Sequence, residues 1–195
     1  MKRTATVLEW IVVGLMATVS VVGTLFVTGY AVEDLGATQG WSLFAVLAVA
    51  IAALSLVARF TPTVGAWVLG VMCLLAVAIP LWGVISYDTY QAFMDEIGPV
   101  PGVSLLVLLT PLAVLGLAHP AIAGGLMTGT GLATYAMFLA SISGEPWLGL
   151  GATLTTSSTI LVAPMLVGGL VLLVAALLIH NEAAHHAPPA VGSTT

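Results

Sequence analysis

A single acid stands inside a long apolar run. Glu9 lies near the start of "LEWIVVGLMATVSVVGTLFVTGY" (8–30), and on a helix it shares a face with Ser20 and Thr24, and more loosely with Thr28. A carboxylate in series with hydroxyls can hold and pass protons or small cations, and ionisable residues within a membrane often mark such routes. A plainer reading competes with this one. An acid in the first turn of a helix complements the helix dipole and reaches the headgroups, and no other apolar run carries an internal charge that would complete a relay.

The second polar concentration is "GLAHPAIAGGLMTGTGLATY" (116–135). On a helix, Gly125, Gly129, Ala133, Ala136 and Ala140 make one continuous groove of small side chains. Helices in lipid associate by close packing, and such small-residue faces permit it. This segment is therefore expected to pack at the centre of a bundle. Thr130, Thr134 and Ser141 lie on a neighbouring face, where they either bond across helices or line a polar pathway. The pathway candidates are thus Glu9, Ser20, Thr24, Thr130 and Thr134. The "GG" and "GTG" pairs are not phosphate loops, since no strand precedes them and no lysine follows.

Metal and nucleophile chemistry find less support. His180, Glu182, His185 and His186 cluster near the chain end, and Glu182 and His186 are one helical turn apart, a spacing compatible with metal ligation. The following "AAHHAPPAVGSTT" has the small-residue and proline content of a solvated tail, so the histidines are expected simply to sit in water. The lone Cys73 lies in an apolar run, which excludes a disulfide framework and a cysteine-based zinc site. "TLTTSST" (153–159) offers helix caps but no nearby histidine base to activate a nucleophile. No catalytic, cofactor or metal site is expected, and the chain is not expected to be an enzyme.

These residues must be positioned by apolar elements. Of 195 residues 60% are hydrophobic and only 6% charged, with a mean hydropathy of +1.18. A soluble domain carries about 25% charged residues, so this chain needs lipid as its solvent. Eight acids against three bases leave no basic footprint for nucleic acid. Six runs are long enough to cross, near 7–30, 41–59, 64–86, 102–118, 121–142 and 158–180; the fourth is the shortest and the fifth the least oily. They are continuous rather than alternating, which predicts helices and not a β-barrel. The first outlasts a signal-peptide core and is expected to be retained.

An even number of spans puts both termini on one side. Lys2, Arg3 and Arg59 then share that side, which the positive-inside rule makes cytoplasmic. Aromatic residues fall at both boundaries, and 87–101 reads as a short surface helix with Tyr87, Tyr90, Met94 and Ile97 on one face. Pro111 and Pro164 lie within the fourth and sixth spans, where a proline frees a carbonyl. The expected fold is an all-α, six-helix membrane bundle over 1–182 with a disordered cytoplasmic tail at 183–195. The expected partners are the bilayer, other membrane subunits or a second copy of the chain. A non-catalytic accessory or scaffold subunit of the cell membrane is favoured over a small transporter or channel.

Overall fold

A computed structural model of the chain describes residues 2–97, 100–141 and 162–185. All the elements among the described residues are helices: α1 (Lys2–Leu35), α2 (Ala37–Phe60), α3 (Pro62–Ile85), α4 (Tyr87–Ile97), α5 (Val100–Gly116), α6 (Pro120–Ser141) and α7 (Val162–His185). The turns between them follow from local chemistry. Gly36 alone joins α1 to α2 at φ 92°, a conformation that costs glycine little because it has no Cβ. Thr61 joins α2 to α3, and Pro62 starts the new helix where a missing N–H costs nothing. His119 precedes Pro120 in the α5–α6 turn, where the Leu117 and His119 N–H groups donate hydrogen bonds to the Val114 and Leu115 carbonyls.

Four helices, α1, α2, α3 and α7, are long and apolar enough to cross a membrane; α5 is apolar but shorter. The outer faces of the long helices present Val46, Val49, Leu56, Leu74, Leu75, Val167, Leu170 and Leu177 as exposed side chains, as lipid contact requires.

Five helices form a closed ring in the order α1, α2, α3, α6, α7 and back to α1, and α5 touches every one of them. The burial of α5 matches that place. Leu105, Leu106, Val107, Leu108 and Leu109 are all buried, and five consecutive residues at roughly 100° each sweep the full circle of a helix. Leu112, Ala113 and Leu115 extend the core towards the α5–α6 turn.

The central position expected for the glycine-rich segment is therefore held by α5, and α6 is one stave of the ring. Its packing face is also turned by one residue. Gly125 and Gly129 are exposed with nothing within 4 Å of an added Cβ, and Ala136 is exposed as well. Ala133 is half-buried, and the Ala140 side chain lies outside the described set. The close approach runs instead along Gly124, Thr128 and Gly131. A Cβ on Gly124 would stand 2.8 Å from the Gly169 carbonyl oxygen, and one on Gly169 would stand 2.8 Å from the Thr128 amide nitrogen. The physical reason is the partner. Gly169 of α7 lacks a side chain as Gly124 does, so the two backbones meet there.

The short helix α4 folds back on the end of α3. Trp82 packs against Tyr90 and Phe93 with ring centroids 6.2 and 5.3 Å apart, and Gly83 leaves the space that the Tyr90 ring fills. Helix α7 continues to His185, past the expected start of the tail, while 186–195 and the loop at 143–157 lie outside the described residues.

Candidate functional site

The expected pathway face of α1 is turned inward. Ala5, Glu9, Val12, Met16, Ser20, Thr24, Thr28 and Ala31 are its buried residues, at the i, i+3, i+4 spacing of one helical stripe. Glu9 is 7% exposed, and among the described residues no side chain bonds to its carboxyl. Because α1 begins at Lys2, Glu9 stands two turns inside the helix. The dipole that the sequence suggested as its support has largely decayed there.

Near the middle of α1 the hydroxyls tie it to α5. Ser20 Oγ donates to the Leu106 carbonyl at 3.2 Å, and Thr110 Oγ1 lies 2.8 Å from Ser20 Oγ and 3.3 Å from the Met16 carbonyl. Thr24 Oγ1 donates to the Ser20 carbonyl at 2.6 Å and Thr28 Oγ1 to the Thr24 carbonyl at 2.7 Å. These hydroxyl protons are spent on backbone carbonyls, the ordinary way a helix in lipid satisfies threonine. Thr110 was not among the sequence candidates. Its signal was its place before Pro111, in the turn where a missing N–H loosens the helix ladder.

The contacts fix the register. Leu106 is level with Ser20 and Gly23, and Thr110 with Met16 and Ser20, so α1 and α5 run antiparallel. Two turns further along, Glu9 comes level with Leu117 in the α5–α6 turn, at the end of the bundle and not at its middle. Glu9 and Ser20 are separated by about 16 Å of helix rise. Between them on the same stripe stand Val12 and Met16, 2% and 0% exposed. Met16 and Val12 close against Gly168 of α7, with Met127 of α6 beside them. The carboxylate and the hydroxyls are thus two separate polar spots with a dry apolar layer between.

The α6 candidates form a third spot. Thr130 is buried and hydrogen-bonds with the Cys73 thiol of α3. The Thr134 and Thr128 hydroxyls find no hydrogen-bond partner among the described residues. Since α6 and α1 are not neighbours in the ring, α5 stands between this spot and the Ser20–Thr110 pair. At the chain end, the described residues hold no group of three or more histidine, cysteine, aspartate or glutamate side chains placed for a metal; His186, needed for the pairing with Glu182, lies outside them.

The surface carries a cleft of about 510 Å³ between α3 and α6, lined by Thr63, Ala66, Trp67, Gly70, His119, Ile122 and Leu126. None of the five pathway candidates lines it. Comparison with protein-family models, with curated proteins and with solved structures finds no match, so the functional reading rests on the residues of this chain.

Proposed function

We propose that this chain is a six-span protein of the cell membrane, with both termini cytoplasmic, acting as a non-catalytic accessory or scaffold subunit of a membrane complex. The observation that carries the reading is the central helix. α5 occupies the axis that a conducting bundle would leave open, and its leucines are buried on all sides. The separation of the polar residues into isolated spots supports the same reading. In this reading α5 and α6 are the two further spans, supported by the apolar character of α5 and the packing of α6 along α7. The orientation rests on Lys2, Arg3 and Arg59, which the helix directions bring to one end.

A transporter or channel is the second reading, and one observation favours it: a carboxylate 7% exposed without a partner among the described residues. Reconstitution into liposomes separates the two. Proton, sodium, potassium and chloride fluxes are expected to stay at the level of protein-free vesicles. A flux that Glu9→Gln abolishes, with melting temperature preserved, would assign the chain to transport.

A further inference from the structure

A second hollow, of about 260 Å³, lies on the exposed side of α1 near its C-terminal end. Phe26, Gly29, Tyr30 and Glu33 line it, at the i, i+3, i+4, i+7 spacing of a single helical stripe. Gly29 leaves the space open, since an added Cβ there would meet nothing within 4 Å. The Phe26 and Tyr30 rings stand edge to face, with centroids 4.9 Å apart and planes at 73°, and both are more than half exposed. An edge-to-face pair uses one ring face and leaves the others free. Glu33 stands about 10 Å beyond Phe26 along the helix axis. The stripe thus runs from the hydrocarbon into the headgroup layer, with Tyr30 at the level where aromatic rings settle.

The charges at this end of the bundle are of one sign. Glu33, Asp34 and Asp88 are exposed here. Because α1 and α2 meet at Gly36, Lys2, Arg3 and Arg59 all stand at the other end. His119, in the α5–α6 turn, belongs to that other end as well. So does His180, because α7 runs antiparallel to α6: Gly124 meets Leu173 and Gly131 meets Leu166. Among the described residues no basic side chain is therefore within reach of Glu33, and its counter-charge comes from outside the chain. An exposed carboxylate alone attracts any cation. The two rings beside it favour an organic ammonium, which ring faces attract as well.

We propose that this face binds the headgroup of an ethanolamine phospholipid. The primary ammonium donates to the Glu33 carboxylate and rests on the face of Tyr30, while the glycerol and the upper acyl chains lie along Gly29 and Phe26. The hollow is smaller than the about 300–1,000 Å³ of clefts that take a whole ligand, as suits a headgroup whose chains stay in the bilayer. A choline headgroup has no N–H to give the carboxylate, and a headgroup of net negative charge is repelled by it.

Native mass spectrometry of the full chain released from mixed micelles tests this. The micelles carry equimolar phosphatidylethanolamine and phosphatidylcholine with the same acyl chains. The ethanolamine lipid is expected to form the first adduct with a preference of about fivefold, the scale of one exposed cation–π contact together with one surface ion pair. Glu33→Gln is expected to remove the preference, and so is Gly29→Leu, which fills the hollow; both side chains face outward, so the melting temperature is expected to hold. Replacing both rings, Phe26→Leu with Tyr30→Leu, is expected to reduce the preference to about twofold. Asp34→Asn, an exposed acid beside the stripe and not on it, is expected to keep the wild-type value. Equal adducts of the two lipids in the wild type would overturn the proposal, and so would a preference that survives Glu33→Gln or Gly29→Leu. A preference lost as fully in Asp34→Asn would belong to the acidic end as a whole and would sink the site on α1.

Discussion

Thr110 and Ser20 show how a hydroxyl earns its place in this interior. Their contact joins the central helix to α1 at the turn loosened by Pro111. Interhelical hydrogen bonds in membrane proteins contribute about 0.6 kcal/mol on average, because the unfolded chain also finds partners. Thr110→Val keeps the shape and removes the bond, so a loss of about that size is expected in a denaturation series in mixed micelles. The sequence displayed Ser20, Thr24 and Thr28 as one face because the 3.6-residue period is a property of the helix alone. It did not display Thr110 as their partner, since that pairing depends on which helix packs against α1. It also left Glu9 in the same series, although Val12 and Met16 close the stripe between them. Two apolar residues look alike in sequence whether they face lipid or seal an interior.

The helices were largely legible as elements. The runs near 7–30, 41–59, 64–86, 102–118 and 121–142 each fall on one helix, but the gap expected between the first two is helical up to Leu35 and again from Ala37, with Gly36 alone as the turn. The face of α6 was not legible. Two small-residue stripes run along this helix, Gly125–Gly129 and Gly124–Thr128–Gly131, and a helix seen alone gives no reason to prefer either. The complementary Gly169 of α7, which faces the Gly124 and Thr128 backbone, decides it. Gly124→Leu is therefore expected to destabilise the bundle by about 1–3 kcal/mol, the usual cost of overpacking. Gly129→Leu, pointing into open space, is expected to leave the melting temperature in detergent unchanged or slightly raised, since leucine is the better helix former. Equal damage from both substitutions would place the packing face elsewhere.

At the scale of the whole molecule, the arrangement is a ring of five helices closed around a sixth. Composition made the membrane assignment firm, because a 6% charged chain has no other solvent. It could not say which run takes the centre. A helix apolar on every side is equally at home in lipid and inside a bundle, and α5 is such a helix. Orientation is open to a direct check. With Cys73→Ala as background, cysteines at exposed Thr38 and Asp88 are expected to react with an impermeant maleimide on intact cells, and a cysteine at Arg3 is not. Labelling at Arg3 alone would invert the topology.

The closed axis is the central claim, and water accessibility along α5 tests it most directly. Thr110→Cys is a near-isosteric change on α5 and Ala113→Cys adds a single sulfur; Ala113 is 0% exposed, and Thr110 is part-buried against α1. Each variant, again with Cys73→Ala, is treated with a small charged methanethiosulfonate reagent in membranes open to both sides, with Thr38→Cys as the accessible control. Both α5 cysteines are expected to stay unmodified in the folded protein and to react fully after denaturation. Modification of either one in the folded protein at a rate close to that of the control would show that water reaches the axis, and would contradict a bundle sealed by its central helix.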